Sequence, residues 1–159
     1  MILIALGTQG FQFDRLLIKI DELVGSGCIK EPVMAQTGRS PYIPKNYEHK
    51  GFFSSEEFDG LLSGCSLLIT HAGTGTLVGA LKKGKPVIAV PRRSKYGEHV
   101  DDHQLEIVKV FVDSGMVLCA GEMDELEGVI EAAREFRPRP FVSGREKIIG
   151  LLEDFISKL

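Results

Sequence analysis

The feature that most constrains the fold is a regular alternation of short apolar runs and amphipathic segments along the chain of 159 residues. Continuous apolar runs such as 2–6 and 67–69 are typical of strands that are covered on both faces. The segments between such runs carry apolar residues at helical spacing. Because this alternation favours parallel pairing with right-handed crossovers, it predicts a Rossmann-like α/β domain: a parallel sheet with helices on both faces.

About six strands and six helices fit the chain, which we interpret as a single domain over residues 1–159. A capping box of Ser54 and Glu57 predicts a helix to about Ser63. A helix is also predicted from about Val100 to Ser114. The last predicted helix, about Gly144 to Leu159, has an apolar face suited to its own sheet or to a partner domain.

The bulk composition excludes several classes of protein. The net charge is −3, which does not favour a nucleic-acid partner, and no apolar run approaches the ~20 residues that span a bilayer. The first residues read as a strand rather than as a signal peptide, so a cytoplasmic location is expected. Three widely spaced cysteines predict reduced thiols rather than a zinc or disulfide framework.

A glycine-rich turn follows the predicted strand at 67–70. Its sequence, His-Ala-Gly-Thr-Gly-Thr, leads into a helix predicted from about Thr74 to Lys83. Glycines allow close approach of the backbone, and the first amides of a helix favour negative charge, so the turn can bind an anion such as a diphosphate. An ordinary tight turn explains Gly73 and Gly75 equally well. The turn does not match the patterns for ATP or dinucleotide binding.

Several separated motifs resemble the carboxyl-terminal domain of family 28 glycosyltransferases. They are 70–77 (THAGTGTL), 84–86 (GKP) and 91–104 (PRRSKYGEHVDDHQ). The likeness is greatest to the PssE-type chain of two-chain exopolysaccharide transferases. The chain is also similar to the catalytic chain of the eukaryotic two-subunit UDP-N-acetylglucosamine transferase. The likeness covers most of the chain and is weakest after about Gly121.

The resemblance implies that the chain is the donor-binding half of a GT-B enzyme, with a UDP-sugar as substrate. It also implies roles for individual residues. Diphosphate-binding residues are implied at Thr8, His71, Gly73, Thr74, Gly75 and Thr76. Uracil-binding residues are implied at Phe52 and Phe53, and sugar-binding residues at His103 and Gln104.

These roles compete with simpler readings. Phe52 and Phe53 are also typical core aromatics, and His71 is typical of a packed or surface histidine. His99 and His103 could instead form a metal pair on a helix, although no third ligand is evident. No Asp-x-Asp motif is present, so metal-independent transfer without a cofactor is expected.

The sequence departs from the family at one position, and it supplies no convincing base. Many family members hold the ribose with an acid in the central helix, where this chain has Gly79. Glu98 and Asp102 are weak candidates for a catalytic base, which the resemblance places on the partner half. Arg92 to Lys95 is basic and could face a diphosphate acceptor or lipid headgroups, or form an ordinary solvated loop.

Two functional hypotheses follow. In the first, the chain is the donor-binding, catalytic subunit of an inverting hexosyltransferase. It moves a sugar from a UDP-sugar to a lipid-linked acceptor in extracellular or capsular polysaccharide biosynthesis, and is active only with its partner. A membrane-anchored, acceptor-binding partner chain would recruit it to the inner face of the membrane. In the second, it is a non-catalytic accessory subunit that stabilises and enhances such a partner.

Overall fold

The computed structural model describes residues 1–100, 102 and 104–141, and a six-stranded sheet forms its centre. All five strand pairings are parallel, and the strand order is β3-β2-β1-β4-β5-β6. The strands are Ile2–Ala5 (β1), Val33–Gln36 (β2), Glu48–Lys50 (β3), Leu67–Thr70 (β4), Val87–Ala89 (β5) and Leu118–Cys119 (β6). The α-helices of the described residues are Asp14–Gly25 (α1), Ser55–Gly64 (α2), Thr74–Lys82 (α3), Gln104–Asp113 (α4) and Leu126–Ala133 (α5).

Helices cover both faces of this sheet, as the alternation of strands and helices predicts. Alternate residues of β1 enter different cores, because successive side chains of a strand point to opposite faces. Ile2 and Ile4 pack with α1 and α5. Leu3 and Ala5 pack with α2, α3 and α4. The Rossmann-like α/β prediction is therefore confirmed.

Local predictions agree with the structure to different degrees. The capping box is present, with Ser54 Oγ accepting from the Glu57 amide at 3.1 Å and Glu57 accepting from the Ser54 amide at 2.7 Å. Helix α4 is shorter than predicted and begins at Gln104. The predicted final helix lies outside the described residues. Within the described part, no helix is both long and apolar enough to cross a membrane.

A buried carboxylate anchors the long irregular segment between β2 and β3. Asp21, on α1, is 4% exposed. Its Oδ2 accepts from the Tyr42 hydroxyl at 2.6 Å and the Lys45 amide at 2.9 Å, and its Oδ1 accepts from the Asn46 amide at 2.8 Å. Burial alone would raise the pKa of Asp21, but these hydrogen bonds outweigh it and hold that pKa below its usual value. The hydrogen bond that the Tyr42 hydroxyl donates to Asp21 raises the pKa of Tyr42 to about 12.

We expect Asp21→Asn to lower the free energy of unfolding by about 1–3 kcal/mol, because an amide NH2 then faces a buried donor. Urea denaturation measures the change, and Glu22→Gln, at the exposed neighbouring position on α1, should stay within about 0.5 kcal/mol. Because the folded pKa of Asp21 is depressed, its contribution is complete above the unfolded pKa and is lost as the pH falls through the folded value. The loss of unfolding free energy at acid pH should therefore be smaller in Asp21→Asn than in wild type. An equal loss in both proteins would contradict this role.

Candidate functional site

The candidate site lies at the carboxyl edge of the sheet, where the strand order reverses between β1 and β4. From β1 the chain crosses to β2 and β3 on one side, and from β4 it continues to β5 and β6 on the other. Ligands of open parallel sheets bind in the crevice at such a switch point. The loop after β1, residues 6–13, and the turn after β4, residues 71–73, meet here.

His71 joins these two loops. Its side chain is buried, and Nδ1 lies 3.1 Å from the Ala5 carbonyl oxygen. A Cβ added at Gly7 would lie 2.5 Å from His71 Cε1, and one added at Gly73 would lie 2.5 Å from Nε2. The imidazole therefore fits between two residues that have to be glycine, and it sets the spacing of the two loops.

The histidine is neutral at physiological pH. Burial is the main cause that lowers its pKa to about 4; the nearby positive charge of Arg92 contributes to this shift, and the hydrogen bond to Ala5 opposes it. A carbonyl only accepts, so Nδ1 carries the proton in this bond and Nε2 presents a lone pair. His71 lies where the diphosphate role was predicted, but it presents an acceptor rather than a positive charge.

We expect the His71 imidazole to show no titration between pH 6 and 8 and to have a midpoint near pH 4 by NMR. Because the folded pKa is depressed below the unfolded value near 6.5, folding stability should fall as the pH drops from about 6.5 towards 4. His49, which is exposed on β3, provides the comparison within the same spectrum. A His71 midpoint near 6.5 would contradict the buried neutral form.

Helix α3 presents its amino end beside His71. The helix begins at Thr74, its N-cap Gly73 offers no side-chain cap, and its first turn contains no acid. Thr74 and Gly75 are exposed and Thr76 is half-buried, so the first turn of the helix, whose amides lack partners within the helix, lies at the surface. Ala72 has φ of 69°, a left-handed conformation that costs a non-glycine residue energy. Such strain is typical of functional turns.

The loop after β5 packs against the loop after β1 through a buried ionic cluster. Glu98 is 1% exposed, and its Oε1 accepts from Arg15 Nε at 2.6 Å. Its Oε2 accepts from the Arg93 amide at 2.9 Å. Arg92 is 1% exposed, and its Nη2 donates to the Leu6 and Phe11 carbonyls at 2.9 and 3.2 Å. The cluster fixes residues 91–98 against the β1 loop.

These contacts give the weak base candidates structural partners. Glu98 is buried with both oxygens engaged, and Asp102, although exposed, accepts from the Ser94 amide at 2.9 Å. That bond holds the pKa of Asp102 below its usual value. Neither geometry favours a free carboxylate that takes a proton from an acceptor hydroxyl, so a base on a partner chain stays the prediction.

The prediction of a basic surface loop is wrong for Arg92. Its guanidinium is buried rather than facing solvent, because it bonds the carbonyls of the β1 loop and lies 5.6 Å from the Phe13 ring centroid. Arg93 pairs with Glu122 at 3.4 Å, and Lys95 pairs with the same carboxylate at 3.5 Å. Part of the positive charge of residues 92–95 is therefore buried or paired with an acid of the same chain.

The two candidate uracil residues follow β3. Phe52 is 43% exposed, with the Arg39 guanidinium 6.0 Å from its ring centroid. Phe53 is half-buried, and its backbone amide donates to Gln36 Oε1 at 3.3 Å. The resemblance assigns this amide to the edge of the uracil. Because Gln36 already accepts a hydrogen bond from it, a uracil that bonds the Phe53 amide has to displace the Gln36 side chain.

Gln104 is the first residue of α4, and its side-chain oxygen is buried without a hydrogen-bond partner among the described residues. Its Oε1 is shielded from solvent, whereas the residue as a whole is only half-buried. A buried acceptor without a donor is costly, and a ligand hydroxyl would satisfy it. The companion prediction, His103, lies outside the described residues.

Two further predictions concern the site. Gly79 lies within α3, and a Cβ there would make only an ordinary contact with Leu62. Steric crowding therefore does not explain why this chain has glycine instead of an acid at the position. Among the described residues, no group of three or more histidine, cysteine or acidic side chains could hold a metal ion. The metal-pair alternative includes His103 and stays untested.

Sequence reasoning missed Gln36, and it misplaced Arg92. Gln36 is a polar residue at the end of an otherwise apolar strand, which is a usable signal. Arg92 follows the apolar run of β5 directly, and a charge at that position can point inward as readily as outward.

The fold and this edge of the sheet define a class of protein. A solution structure of ALG13 superposes with a TM-score of 0.62 and 20% identity, covering 96% of this chain and 94% of that chain. The glycotransferase of kitacinnamycin superposes with a TM-score of 0.61 and 17% identity, covering 84% of this chain and 34% of that chain. SnogD from Streptomyces nogalater superposes with a TM-score of 0.53 and 21% identity, covering 94% of this chain and 43% of that chain. The chain thus has the Rossmann-like fold found within GT-B glycosyltransferases.

The chain belongs to the glycosyltransferase family 28 C-terminal domain family, whose model matches residues 1–154. It is 33% identical over 109 residues to the UDP-N-acetylglucosamine transferase subunit ALG13 of Yarrowia lipolytica, covering 68% of this chain and 53% of that protein. It is 32% identical over 135 residues to the UDP-N-acetylglucosamine transferase subunit ALG13 of Saccharomyces cerevisiae, covering 84% of this chain and 61% of that protein.

A bacterial relative is more distant. It is the UDP-N-acetylglucosamine–N-acetylmuramyl-(pentapeptide) pyrophosphoryl-undecaprenol N-acetylglucosamine transferase of Rippkaea orientalis, which is 28% identical over 100 residues. That match covers 61% of this chain and 27% of the relative. The chain spans about half the length of the first curated relatives that it matches.

Proposed function

We propose that the chain is the donor-binding subunit of a two-chain, inverting glycosyltransferase that uses a UDP-sugar. The observation that carries the proposal is the junction at the switch point, where His71 spaces two glycine positions beside the uncapped amino end of α3. This geometry fits a leaving diphosphate, because helix amides stabilise negative charge. Family membership supports the same reading.

The proposed division of labour follows from what this chain offers. The α3 amides and Thr8, Thr74 and Thr76 bind the diphosphate, the region of Phe52 and Phe53 holds the uracil, and Gln104 with His103 contacts the sugar. The acceptor and the base come from a membrane-anchored partner chain. Neither Glu98 nor Asp102 is free in this structure, which favours a base on that partner.

The proposed acceptor is lipid-linked and lies at the inner face of the membrane, and the proposed setting is extracellular or capsular polysaccharide biosynthesis. The chain itself is cytoplasmic in this proposal. The name of the Rippkaea orientalis relative includes a pyrophosphoryl-undecaprenol acceptor, and the names of all the curated relatives described above include UDP-N-acetylglucosamine. These names favour a diphosphate lipid and make N-acetylglucosamine the first sugar to test.

The alternative is a non-catalytic accessory subunit, which the absence of an acid at Gly79 favours. Membranes from cells that lack the chain, mixed with labelled UDP-sugars, separate the two hypotheses. We expect transfer of label to extracted lipid only after the purified chain is added back, and we expect Gln104→Ala to restore little transfer. Full restoration by Gln104→Ala, or weak transfer without the chain that the added chain only enhances, would favour the accessory role. Transfer that the added chain does not change would contradict both hypotheses.

A further inference from the structure

The strongest unexplained feature of the described structure is the buried positive charge of Arg92. Buried charges in proteins are normally paired, because removal from water is costly. Burial lowers the pKa of this guanidinium, and Glu98 acts against that shift. Glu98, however, makes its direct contacts with Arg15 and the Arg93 amide.

The hydrogen bonds of Arg92 leave donors unused. Nη2 donates to Leu6 and Phe11, whereas the buried Nε and Nη1 have no hydrogen-bond partner among residues 1–100, 102 and 104–141. Within the same residues, Arg15 Nη1 and Arg93 Nε are also buried without partners. Of the buried side-chain polar atoms without partners in the described structure, all except Gln104 Oε1 therefore belong to these three arginines. Glu98 is a deeply buried carboxylate whose negative charge balances part of the positive charge of these arginines.

The two carbonyls that Arg92 bonds flank the loop of residues 7–10. Leu6 precedes this loop and Phe11 follows it, so one guanidinium nitrogen joins the two ends of the loop. The residues between them, Thr8 to Gly10, are exposed. Gly7 packs against His71, whose pKa is lowered by the charge of Arg92. The guanidinium is thus near enough to act electrostatically on the switch-point crevice.

We propose that Arg92 is a positioning residue for the diphosphate: it closes the 7–10 loop into its binding form, and its charge, which Glu98 compensates only in part, attracts the anion through that loop. This inference rests on the proposed function, since it concerns the same crevice. Arg92 itself touches no ligand in this scheme. Its effect should therefore scale with the negative charge of the ligand and be absent for an uncharged nucleoside.

The test compares pyrophosphate, UDP, UMP and uridine by calorimetric titration of the purified chain and of Arg92→Gln. We expect Arg92→Gln to lose at least about 10-fold in affinity for UDP and pyrophosphate, less for UMP, and under about 2-fold for uridine. Arg92→Lys keeps the charge and should recover much of the loss. Arg134→Gln is the matched control, because Arg134 lies with Leu67 and Pro86 near the opposite ends of β4 and β5.

A uniform loss across all ligands would mean a purely structural role and overturn the proposal, as would UDP and pyrophosphate affinities within 2-fold of wild type. If wild type binds pyrophosphate through Arg92 but not UDP, the positioning role stands and the donor assignment fails. If Arg92→Gln does not fold, the wild-type Arg92 Nε–H resonance decides. It should shift with pyrophosphate more than that of Arg134, and an equal or smaller shift would overturn the proposal.

Discussion

Gly7→Ala should weaken UDP binding by about 10- to 400-fold. Gly7 has φ of 74°, which costs an L-residue roughly 1–2 kcal/mol, and the added methyl would lie 2.5 Å from the His71 ring. Moving that ring off its rotamer adds about 0.5–1.5 kcal/mol. The combined cost of about 1.5–3.5 kcal/mol should separate the loop after β1 from the turn after β4, and calorimetric titration with UDP measures the loss.

The same loop contains a matched control. Gly10 has no positive φ, and nothing lies within 4 Å of a Cβ added there. Gly10→Ala should therefore bind UDP within about 3-fold of wild type. Thermal unfolding of both variants shows whether each remains folded. If folded Gly7→Ala keeps wild-type affinity, the junction of Gly7, His71 and Gly73 is not the diphosphate site.

Gln104→Ala should remove most of the affinity that the sugar adds to UDP. The buried Oε1 has no partner in the described part of the chain, so a sugar hydroxyl that bonds it contributes roughly 1–2 kcal/mol, or about 5- to 30-fold. The measurement is the ratio of UDP-sugar affinity to UDP affinity in the isolated chain, beginning with UDP-N-acetylglucosamine. UDP itself should bind the variant and the wild type alike.

The comparison needs a change on the same helix that leaves this oxygen in place. Glu106 is exposed in the first turn of α4, so Glu106→Gln should preserve the affinity ratio. An unchanged ratio in Gln104→Ala would remove Gln104 from the sugar site. Equal losses for UDP and for UDP-sugars would instead assign it to the nucleotide or to the packing of α4.

The order of elements was predictable because it depends on local patterns. Each buried strand is a short apolar run, and the Ser54–Glu57 capping box marks the start of α2 within the sequence itself. The turn at Gly73 was predictable for the same reason, since strand, glycines and helix are consecutive. The resemblance to family 28, drawn from motifs in the right order, agrees with the family match over 1–154.

What the sequence could not show depends on contacts between distant residues. Arg92 bonds Leu6 across 86 positions, and Arg15 pairs with Glu98 across 83 positions. No local pattern indicates which of the arginines near 92 turns inward. The hydrogen bond from the Phe53 amide to Gln36 Oε1 likewise joins the end of β2 to the segment after β3, which only the folded sheet brings together.

The helix boundaries were predictable only approximately. Apolar spacing extends the predicted α4 back to Val100, although α4 begins at Gln104. Between them, Asp102 accepts from the Ser94 amide of the preceding loop, so this carboxylate is used outside the helix. Periodicity indicates which face of a helix is buried, but side chains that bond distant backbone set its ends.

The central claim is that this chain carries the donor site, and calorimetric titration of the purified chain with UDP tests it most directly. We predict saturable binding of one UDP per chain, weakened by Gly7→Ala and by Thr74→Ala and preserved in Gly10→Ala. No UDP binding by the folded chain, either alone or in membranes that contain its partner, would contradict the claim and leave the accessory role as the better explanation.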